Sequence, residues 1–214
     1  MIRLRITFAK GEEVRYISHL DLMRAWERLL RRANVPLAYS KGFNPHPKMS
    51  FATPLPVGVT GTAELMDVVL ETTMTPDEFR VMIEGQRLPG VEVIAVDEVD
   101  LAAPSLPSLV RAGEYRARLA GDERREVIAG RIDGLLAARE LIRDRRREGE
   151  VRRYDLRPLV DDISIEDWDG EKVLWMRLNV ASTGTGRPDE VLDALGLGES
   201  VIGVDRTRIV VGLR

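Results

Sequence analysis

The 214-residue sequence contains no cysteine, only two histidines, and few aromatic residues, which make up 5% of the chain. Without cysteine the chain has no disulfide, no thiolate metal site and no iron–sulfur cluster of its own. No apolar run reaches the ~18–20 residues that a membrane-spanning helix needs. The first residues, MIRLRITFAKG, lack the apolar core of a signal peptide. We therefore expect a cytoplasmic protein that has no contact with a membrane.

Charge is plentiful but unevenly distributed. The net charge of −3 alone argues against a general nucleic-acid binder. Residues 1–51, however, carry ten Lys/Arg and four Asp/Glu, whereas residues 52–103 carry two and ten, and residues 139–158 carry eight arginines and five acids. A local basic patch can bind phosphates even on an acidic protein, because physiological salt limits charge interactions to about 8 Å. A solvated surface is the commoner explanation for any single patch of this kind.

Residues 18–34 have the pattern of an amphipathic helix that leads into a stiff loop. Ser18 followed by Asp21 is typical of a helix start. Spacings of three and four predict one buried apolar face and, opposite it, a basic one. The apolar positions are Leu22, Trp26, Leu29 and Ala33, and the basic ones are Arg24, Arg28, Arg31 and Arg32. In the loop that follows, two prolines flank His46 and restrict the backbone.

The order of elements predicts an α+β fold. Residues 2–9 alternate apolar and polar side chains and predict a strand with Arg3 and Arg5 on its outward side. The helix of residues 18–34 follows, and then strands at 49–52 and 63–71, a helix capped by Thr75 and a strand at 91–96. Residues 1–103 therefore have the ferredoxin-like, split βαβ order. Residues 104–112 read as a connector. We predict two tandem ferredoxin-like halves with antiparallel sheets, residues 1–103 and 113–214, and an additional strand in the second half.

For the second half we expect a strand at 114–119 and a helix at 123–140 that Asp122 caps and whose inward side includes Val127. Strands at 151–156, 163–167 and 172–180, a helix at 188–195 and a closing strand at 206–213 follow.

The two histidines, His19 and His46, are the candidate catalytic residues. His19 stands just inside a helix N-terminus, where backbone donors favour the neutral imidazole that a general base requires. His46 lies in the loop Asn44-Pro45-His46-Pro47-Lys48. Each histidine could equally serve only to fix local structure. A metal shared by both with Asp21 lacks a recognisable ligand spacing, so we predict no metal and no cofactor.

Aromatic and basic residues alternate around His46, as they do in grooves that bind single-stranded nucleic acid, where cations contact phosphates and rings stack on bases. Core rings between solvated lysines would give the same composition. The candidate nucleic-acid-binding residues are Arg3, Arg5, Arg24, Arg28, Tyr39, Lys41, Phe43, Asn44, His46, Lys48, Arg153 and Arg157.

Two motifs carry a resemblance to a known family. The pattern HLDLMRxxERxxRRA begins at His19, and PLAYSxGFNPHPKxSFAxPLPVG begins at Pro36; RYDLRPL, from Arg153, is a further matching block. The sequence resembles the radical SAM-linked (radical SAM-associated) family, a bacterial domain of unknown function found beside or fused behind a radical SAM enzyme. Radical SAM chemistry needs three cysteines on a cluster, so the resemblance implies that this chemistry belongs to a separate partner chain.

Three functions remain open from the sequence. The first is a non-catalytic accessory protein that binds or presents RNA to the radical SAM partner through residues 1–51. The second is a docking domain for that partner with no nucleic-acid binding. The third is a metal-independent endoribonuclease with a histidine base, whose substrate phosphate Arg24, Arg28, Lys41 and Lys48 would surround. We expect the chain to be non-catalytic on its own.

Overall fold

The computed structural model describes residues 1–86, 88–147, 150–168, 170–181 and 184–212. It is a mixed α+β fold in which every strand pair with a described register is antiparallel. The chain forms two compact units. The first comprises residues 1–110 and 211–214, and the second comprises residues 111–210.

The first unit has the element order strand, helix, strand, strand, helix, strand, as its sequence predicts. Its elements are β1 (Ile2–Lys10), α1 (His19–Arg32), β2 (Met49–Phe51), β3 (Val59–Leu70), α2 (Pro76–Glu84), β4 (Val91–Val99) and the short α3 (Leu106–Leu109). Strand β1 pairs with both β3 and β4, and β2 pairs with the other side of β3. The strands therefore lie in the order β4-β1-β3-β2.

The core of the first unit forms between the sheet and the apolar face of α1. Leu4, Ile6 and Phe8 alternate along β1 and are fully buried. The ring of Trp26 packs edge-on against Phe8, with 5.2 Å between ring centroids. All four predicted apolar positions of α1 are buried and its four arginines are exposed, which confirms the predicted faces. The helix begins where predicted, since Ser18 Oγ accepts the backbone N–H of Asp21 at 3.1 Å.

The prediction that β1 carries Arg3 on an outward side is wrong. Arg3 is 8% exposed, and its guanidinium donates to the backbone carbonyls of Asp100, Ala103 and Pro104. A strand periodicity of two assigns a residue to a face of the sheet, but it does not reveal that a later segment covers that face.

The predicted connector, residues 104–112, is more ordered than its composition suggests. It contains α3, one helical turn whose Leu106 is fully buried, and the first residues of the next strand. Pro107 fits there because the first turn of a helix needs no backbone N–H donor.

The second unit contains all the elements predicted for it and two further strands. Its elements are β5 (Val110–Leu119), α4 (Arg125–Ala137), β6 (Ile142–Arg147), β7 (Glu150–Asp155), β8 (Val160–Trp168), β9 (Glu171–Ala181), β10 (Gly184–Thr185), α5 (Pro188–Ala194) and β11 (Val201–Val211). Strand β9 lies between β8 and β5, and β11 is the next neighbour of β5. The order is therefore β11-β5-β9-β8, while β6 and β7 form a separate two-stranded sheet.

Helix α4 differs from its prediction at both ends. It starts at Arg125, so the N-cap residue is Arg124 and not the predicted Asp122. The Arg124 side chain forms no capping hydrogen bond. Val127 was expected inward but is 37% exposed, whereas Ile128, Ile132 and Leu135 are buried. The helix ends at Ala137 rather than at residue 140, because Ala138 already adopts an extended backbone. Within the described residues, no helix is both long and apolar enough to span a membrane.

Candidate nucleic-acid interface

The segment of residues 39–48, here called the 39–48 loop, is closed at its base by its own hydrogen bonds. Tyr39 and Pro47 form an isolated antiparallel bridge. The backbone N–H of Ser40 donates to the carbonyl of His46 at 2.9 Å, and the N–H of His46 donates to Ser40 Oγ at 3.0 Å. The ends of the loop are thus held together like those of a hairpin.

Strand β3 anchors this base. The N–H of Ala38 donates to the carbonyl of Val69 at 2.8 Å, and the N–H of Val69 donates to the carbonyl of Lys48 at 3.0 Å. Lys48 in turn donates its N–H to the carbonyl of Ala38 at 2.8 Å. Both ends of the loop are therefore tied to the same residue of a central strand.

The tip of the loop presents its side chains to solvent. Phe43 is fully exposed, with a relative accessibility of 106%, so it is not one of the core rings that the composition alone would allow. Gly42 adopts a φ of +130°, a conformation that glycine tolerates and that turns the chain at the tip. Lys41, Asn44 and His46 are also exposed.

The exposed face of α1 supplies further cations, which differ in how they are engaged. Arg24 lies 3.6 Å from Asp21, and both side chains are 58% exposed, so this pair is weak. Arg28 is exposed and forms no ion pair with any described residue. The same holds for Lys41 and Lys48 in the loop.

Arg31 connects the helix to the loop, although its role was not predicted from the sequence. Its guanidinium carbon lies 5.9 Å from the centroid of the Tyr39 ring, within the range of a cation–π contact. It also bridges to Glu27 at 2.7 Å. The separation of Arg31 and Tyr39 along the sequence matches neither a helix nor a strand periodicity, so this contact could not be predicted and is seen only in the folded structure.

The His19 ring packs against a row of aromatic rings that extends outward from the core. Its ring meets Phe51 edge-on at 5.2 Å, and Phe51 meets Phe8 in the same way at 6.0 Å. His19 is partly buried as the first residue of α1, while His46 is exposed at the loop. In the described part of the chain, no three His, Asp or Glu residues form a group that could hold a metal.

Several predicted arginines lie elsewhere and serve the fold. Arg5 forms a two-pronged ion pair with the buried Asp67, at 2.8 and 3.0 Å. Arg157 donates to the carbonyls of Leu136 and Val160. With Arg3 engaged on backbone carbonyls, these three guanidiniums are largely committed to structural partners.

Arg153 lies on the β6–β7 hairpin of the second unit, where its side chain is 78% exposed and 3.9 Å from Asp144. Within the first unit, the 39–48 loop meets the exposed face of α1 through Tyr39 and Arg31. Arg153 belongs to the second unit.

An exposed apolar group near the start of α1 was not predicted from the sequence. Tyr16, Leu20 and Val57 are 74%, 53% and 59% exposed, and we call them the Tyr16 patch. The N–H of Gly58 donates to the carbonyl of Arg15, whose guanidinium lies 5.5 Å from the centre of the Tyr16 ring. Isolated exposed apolar residues are common in any protein, and what distinguishes these is that the Tyr16 ring lies beside Gly58, the neighbour of Val57.

Among solved structures, the chain is similar to one titled as a crystal structure of a Cbf5-Nop10-Gar1 complex. The TM-score is 0.52 at 13% identity, over 96% of this chain and 48% of that one, so the chain spans about half its length. An unknown protein from Galdieria sulphuraria aligns over 99% of both chains at 13% identity, with a TM-score of 0.28. At 13% identity, the similarity to the first of these structures bears on the fold alone.

No curated protein matches the sequence. A family model matches residues 3–188, which is most of the chain, and it is described as an uncharacterized protein conserved in bacteria. The matched segment includes the whole 39–48 loop and α1. The chain therefore belongs to the DUF2344 family of bacterial proteins.

Proposed function

We propose that the protein is a cytoplasmic, non-catalytic accessory of a separate radical SAM enzyme and that it binds or presents RNA to that enzyme. The observation that carries the RNA-binding part is Phe43, a fully exposed ring at the tip of a loop whose base is hydrogen-bonded to β3. The partnership rests on the sequence resemblance and not on a structural contact.

The chemistry of the loop supports single-stranded RNA as its ligand. An exposed ring offers a stacking surface to an unpaired base, and nearby cations contact the phosphates. Lys41 and Lys48 flank Phe43, and Arg28 on the exposed face of α1 likewise has no ion pair with a described residue. Double-stranded nucleic acid would leave such a ring without a partner, because its bases are already stacked.

The fold also supports this proposal. Both units share one strand order, β4-β1-β3-β2 in the first and β11-β5-β9-β8 in the second, which favours two tandem ferredoxin-like halves. Antiparallel sheets of this type recur in modules that bind single-stranded RNA. Fold alone does not assign function, so the loop remains the argument for RNA.

The test is incubation of the intact chain with labelled total small RNA in EDTA, analysed on a native gel for binding and a denaturing gel for cleavage. We expect a salt-sensitive mobility shift and no cleavage. Phe43→Ala should weaken binding roughly 5- to 150-fold, since a base–aromatic stack is worth about 1–3 kcal/mol. Phe43→Tyr keeps the ring and should retain most of the affinity.

Val57→Ala is the matched control, because it removes an exposed apolar side chain outside the loop. Phe43 lies at an exposed loop tip, so its replacement should leave the fold intact. Equal affinity of the wild type and Phe43→Ala, or no salt-sensitive shift at all, would refute RNA binding through this loop.

A docking domain without RNA affinity is the second candidate, and the Tyr16 patch favours it. Exposed apolar side chains that group together are typical of protein interfaces. This function predicts that the chain co-purifies with its radical SAM partner after nuclease treatment, and that Tyr16→Ser with Leu20→Ser disrupts the complex. Loss of the complex together with no RNA shift would favour docking over RNA presentation.

A metal-independent endoribonuclease is the third candidate, with His46 or His19 as the base. The exposure of His46 beside Lys48 favours the former. Products that carry a 2′,3′-cyclic phosphate in EDTA, and that disappear with His46→Ala, would support this function.

A further inference from the structure

The exposed side chains at the tip of the 39–48 loop differ in what they can recognise. Lys41 only donates hydrogen bonds and suits a phosphate, while the Phe43 ring has no hydrogen-bonding group. The amide of Asn44 both donates and accepts. Contacts with phosphates position a nucleic acid, and contacts with base edges distinguish one sequence from another. Asn44 is therefore the residue of the tip that can read a base.

The Asn44 side chain does not have the hydrogen bond that usually explains an asparagine in a turn. Such a side chain typically accepts the backbone N–H of the residue two positions later. Here that donor, the N–H of His46, donates to Ser40 Oγ at 3.0 Å instead. Pro45 lies between them and has no backbone N–H. The Asn44 amide forms no hydrogen bond with any described residue.

Asn44 also lacks the backbone conformation that favours asparagine in loops. Asparagine tolerates a positive φ better than most residues that carry a side chain. Among the described residues, however, Asn34 is the one non-glycine residue with a positive φ. Gly42, with a φ of +130°, turns the chain at the tip instead. Neither common structural role of asparagine therefore accounts for Asn44, and its amide is available to a ligand.

An amide side chain pairs with a base that presents a donor and an acceptor side by side. Its oxygen accepts an N6–H of adenine while its NH2 group donates to N7 or N1 of the same ring. Adenine presents such a pair on both its Watson–Crick and its Hoogsteen edge. Guanine, cytosine and uracil present one on the Watson–Crick edge alone. An unpaired adenine therefore matches the amide in more orientations than the other bases.

We propose that Asn44 is the specificity-determining residue of the 39–48 loop and that the loop prefers an unpaired adenine. The adenine ring stacks on Phe43, and its edge pairs with the amide of Asn44. Consecutive Cα atoms are only about 3.8 Å apart, so both side chains can reach one nucleotide. This inference rests on the proposed RNA binding by the loop and adds a base preference to it.

The test uses short, unpaired, U-rich oligoribonucleotides that are identical except for one central base, which is A, C, G or U. Their binding to the intact chain in EDTA is measured by fluorescence anisotropy. We expect the RNA with a central adenine to bind about fivefold more tightly than the others, at the lower end of what a bidentate base contact gives. The other bases still offer one matched edge. Asn44→Ala should bind all four RNAs alike.

Asn44→Asp provides a sharper test, because a carboxylate accepts hydrogen bonds and donates none. The base that matches it is guanine, whose N1–H and N2–H groups are adjacent donors. This variant should bind the RNA with a central guanine best, although its negative charge lowers the affinity for all four. Lys41→Gln is the matched control within the loop. It should weaken all four RNAs by a similar factor and keep the preference for adenine, since their phosphates are the same.

Equal affinity of the wild type for the four RNAs would overturn this inference but leave RNA binding by the loop in place. No binding of any of them would refute both. A preference for another base, or a preference for adenine that persists in Asn44→Ala, would also overturn the inference. The four RNAs are compared on one variant at a time, so a loss of folded protein would not change the order of their affinities.

Discussion

Charged side chains on β1 act as internal structural groups rather than as surface cations. Lys10 is 1% exposed and donates to the carbonyls of Arg15 and Val59, and Arg3 donates to three carbonyls of residues 100–104. Arg5 faces Asp67 across the β1–β3 pair, and the Asp67 side chain is 3% exposed. Removing one partner of a buried charge of this kind is strongly destabilising, because the remaining charge stays buried without compensation.

Removal of Asp67 tests this at the scale of one residue. Asp67→Ala leaves the Arg5 guanidinium without its buried partner, which should lower the free energy of unfolding by about 3–5 kcal/mol. Urea denaturation followed by circular dichroism measures the change. Asp97→Ala is the control, because Asp97 also stands opposite Arg5 in the sheet but is exposed. A loss in Asp67→Ala no larger than in Asp97→Ala would contradict a structural role for Arg5.

Residue patterns predicted α1 well and β1 only in part, for one physical reason. The caps and the spacing of α1 are local signals, and Ser18, Leu22 and Trp26 lie as expected. The burial of Arg3 depends on carbonyls about a hundred residues away. A local pattern carries no information about such distant partners.

At the scale of an element, α2 shows the most complete capping. Thr75 Oγ1 accepts the N–H of Glu78 at 3.2 Å, and the Glu78 carboxylate accepts the N–H of Thr75 at 2.7 Å. Pro76 occupies the first turn, as its sequence predicts. The backbone hydrogen bond from Thr75, and then its hydroxyl, lower the pKa of Glu78 from its usual 4.5.

This cap should make α2 sensitive to acid. A carboxylate whose pKa is lowered by folding contributes stability that is complete above pH 4.5 and is lost as the pH falls through the folded-state pKa. The difference in urea midpoint between the wild type and Glu78→Gln should therefore shrink between pH 6 and pH 3.5. Asp77→Gln, which changes a neighbouring acid outside the capping box, should show less of this trend. A difference that stays constant with pH would show that the cap does not depend on ionisation.

Elements with weak periodicity were the ones not predicted. Strand β6, Ile-Arg-Asp-Arg-Arg-Arg, has almost no apolar residue to mark a buried face, and pairing with β7 defines it instead. Likewise β10 has only two residues. Strands that are fixed by pairing rather than by burial leave little trace in hydropathy.

The chain is acidic as a whole, but its residues 28–48 contain exposed cations that form no ion pair with a described residue. The net charge is −3, yet Arg28, Lys41 and Lys48 are exposed and form no ion pair with a described residue. Salt screens charge interactions beyond about 8 Å, so a phosphate close to these cations is attracted by them more strongly than it is repelled by the rest of the chain. RNA bound at this segment should therefore be sensitive to salt despite the overall charge.

Neutralising these three cations provides the test. Replacing all three with Gln should weaken RNA binding and reduce the slope of log affinity against log salt by about 2, at roughly 0.7 per phosphate contact on single strands. Filter binding between 50 and 300 mM salt measures the slope.

The control changes the net charge equally, with Gln at three exposed arginines of the second unit, Arg124, Arg139 and Arg208. If both triple variants lower the slope by the same amount, binding follows the net charge of the protein and not this surface.

The closed base of the 39–48 loop also affects the entropy of any encounter. Fixing the backbone of one residue costs on the order of 1–2 kcal/mol at room temperature, and a flexible loop would lose that freedom when its ligand arrives. Here folding has already imposed the loss, through the bonds that join Ser40 to His46 and Lys48 to Ala38. A loop whose base is preorganised in this way lets a small contact area, even a single ring, yield measurable affinity.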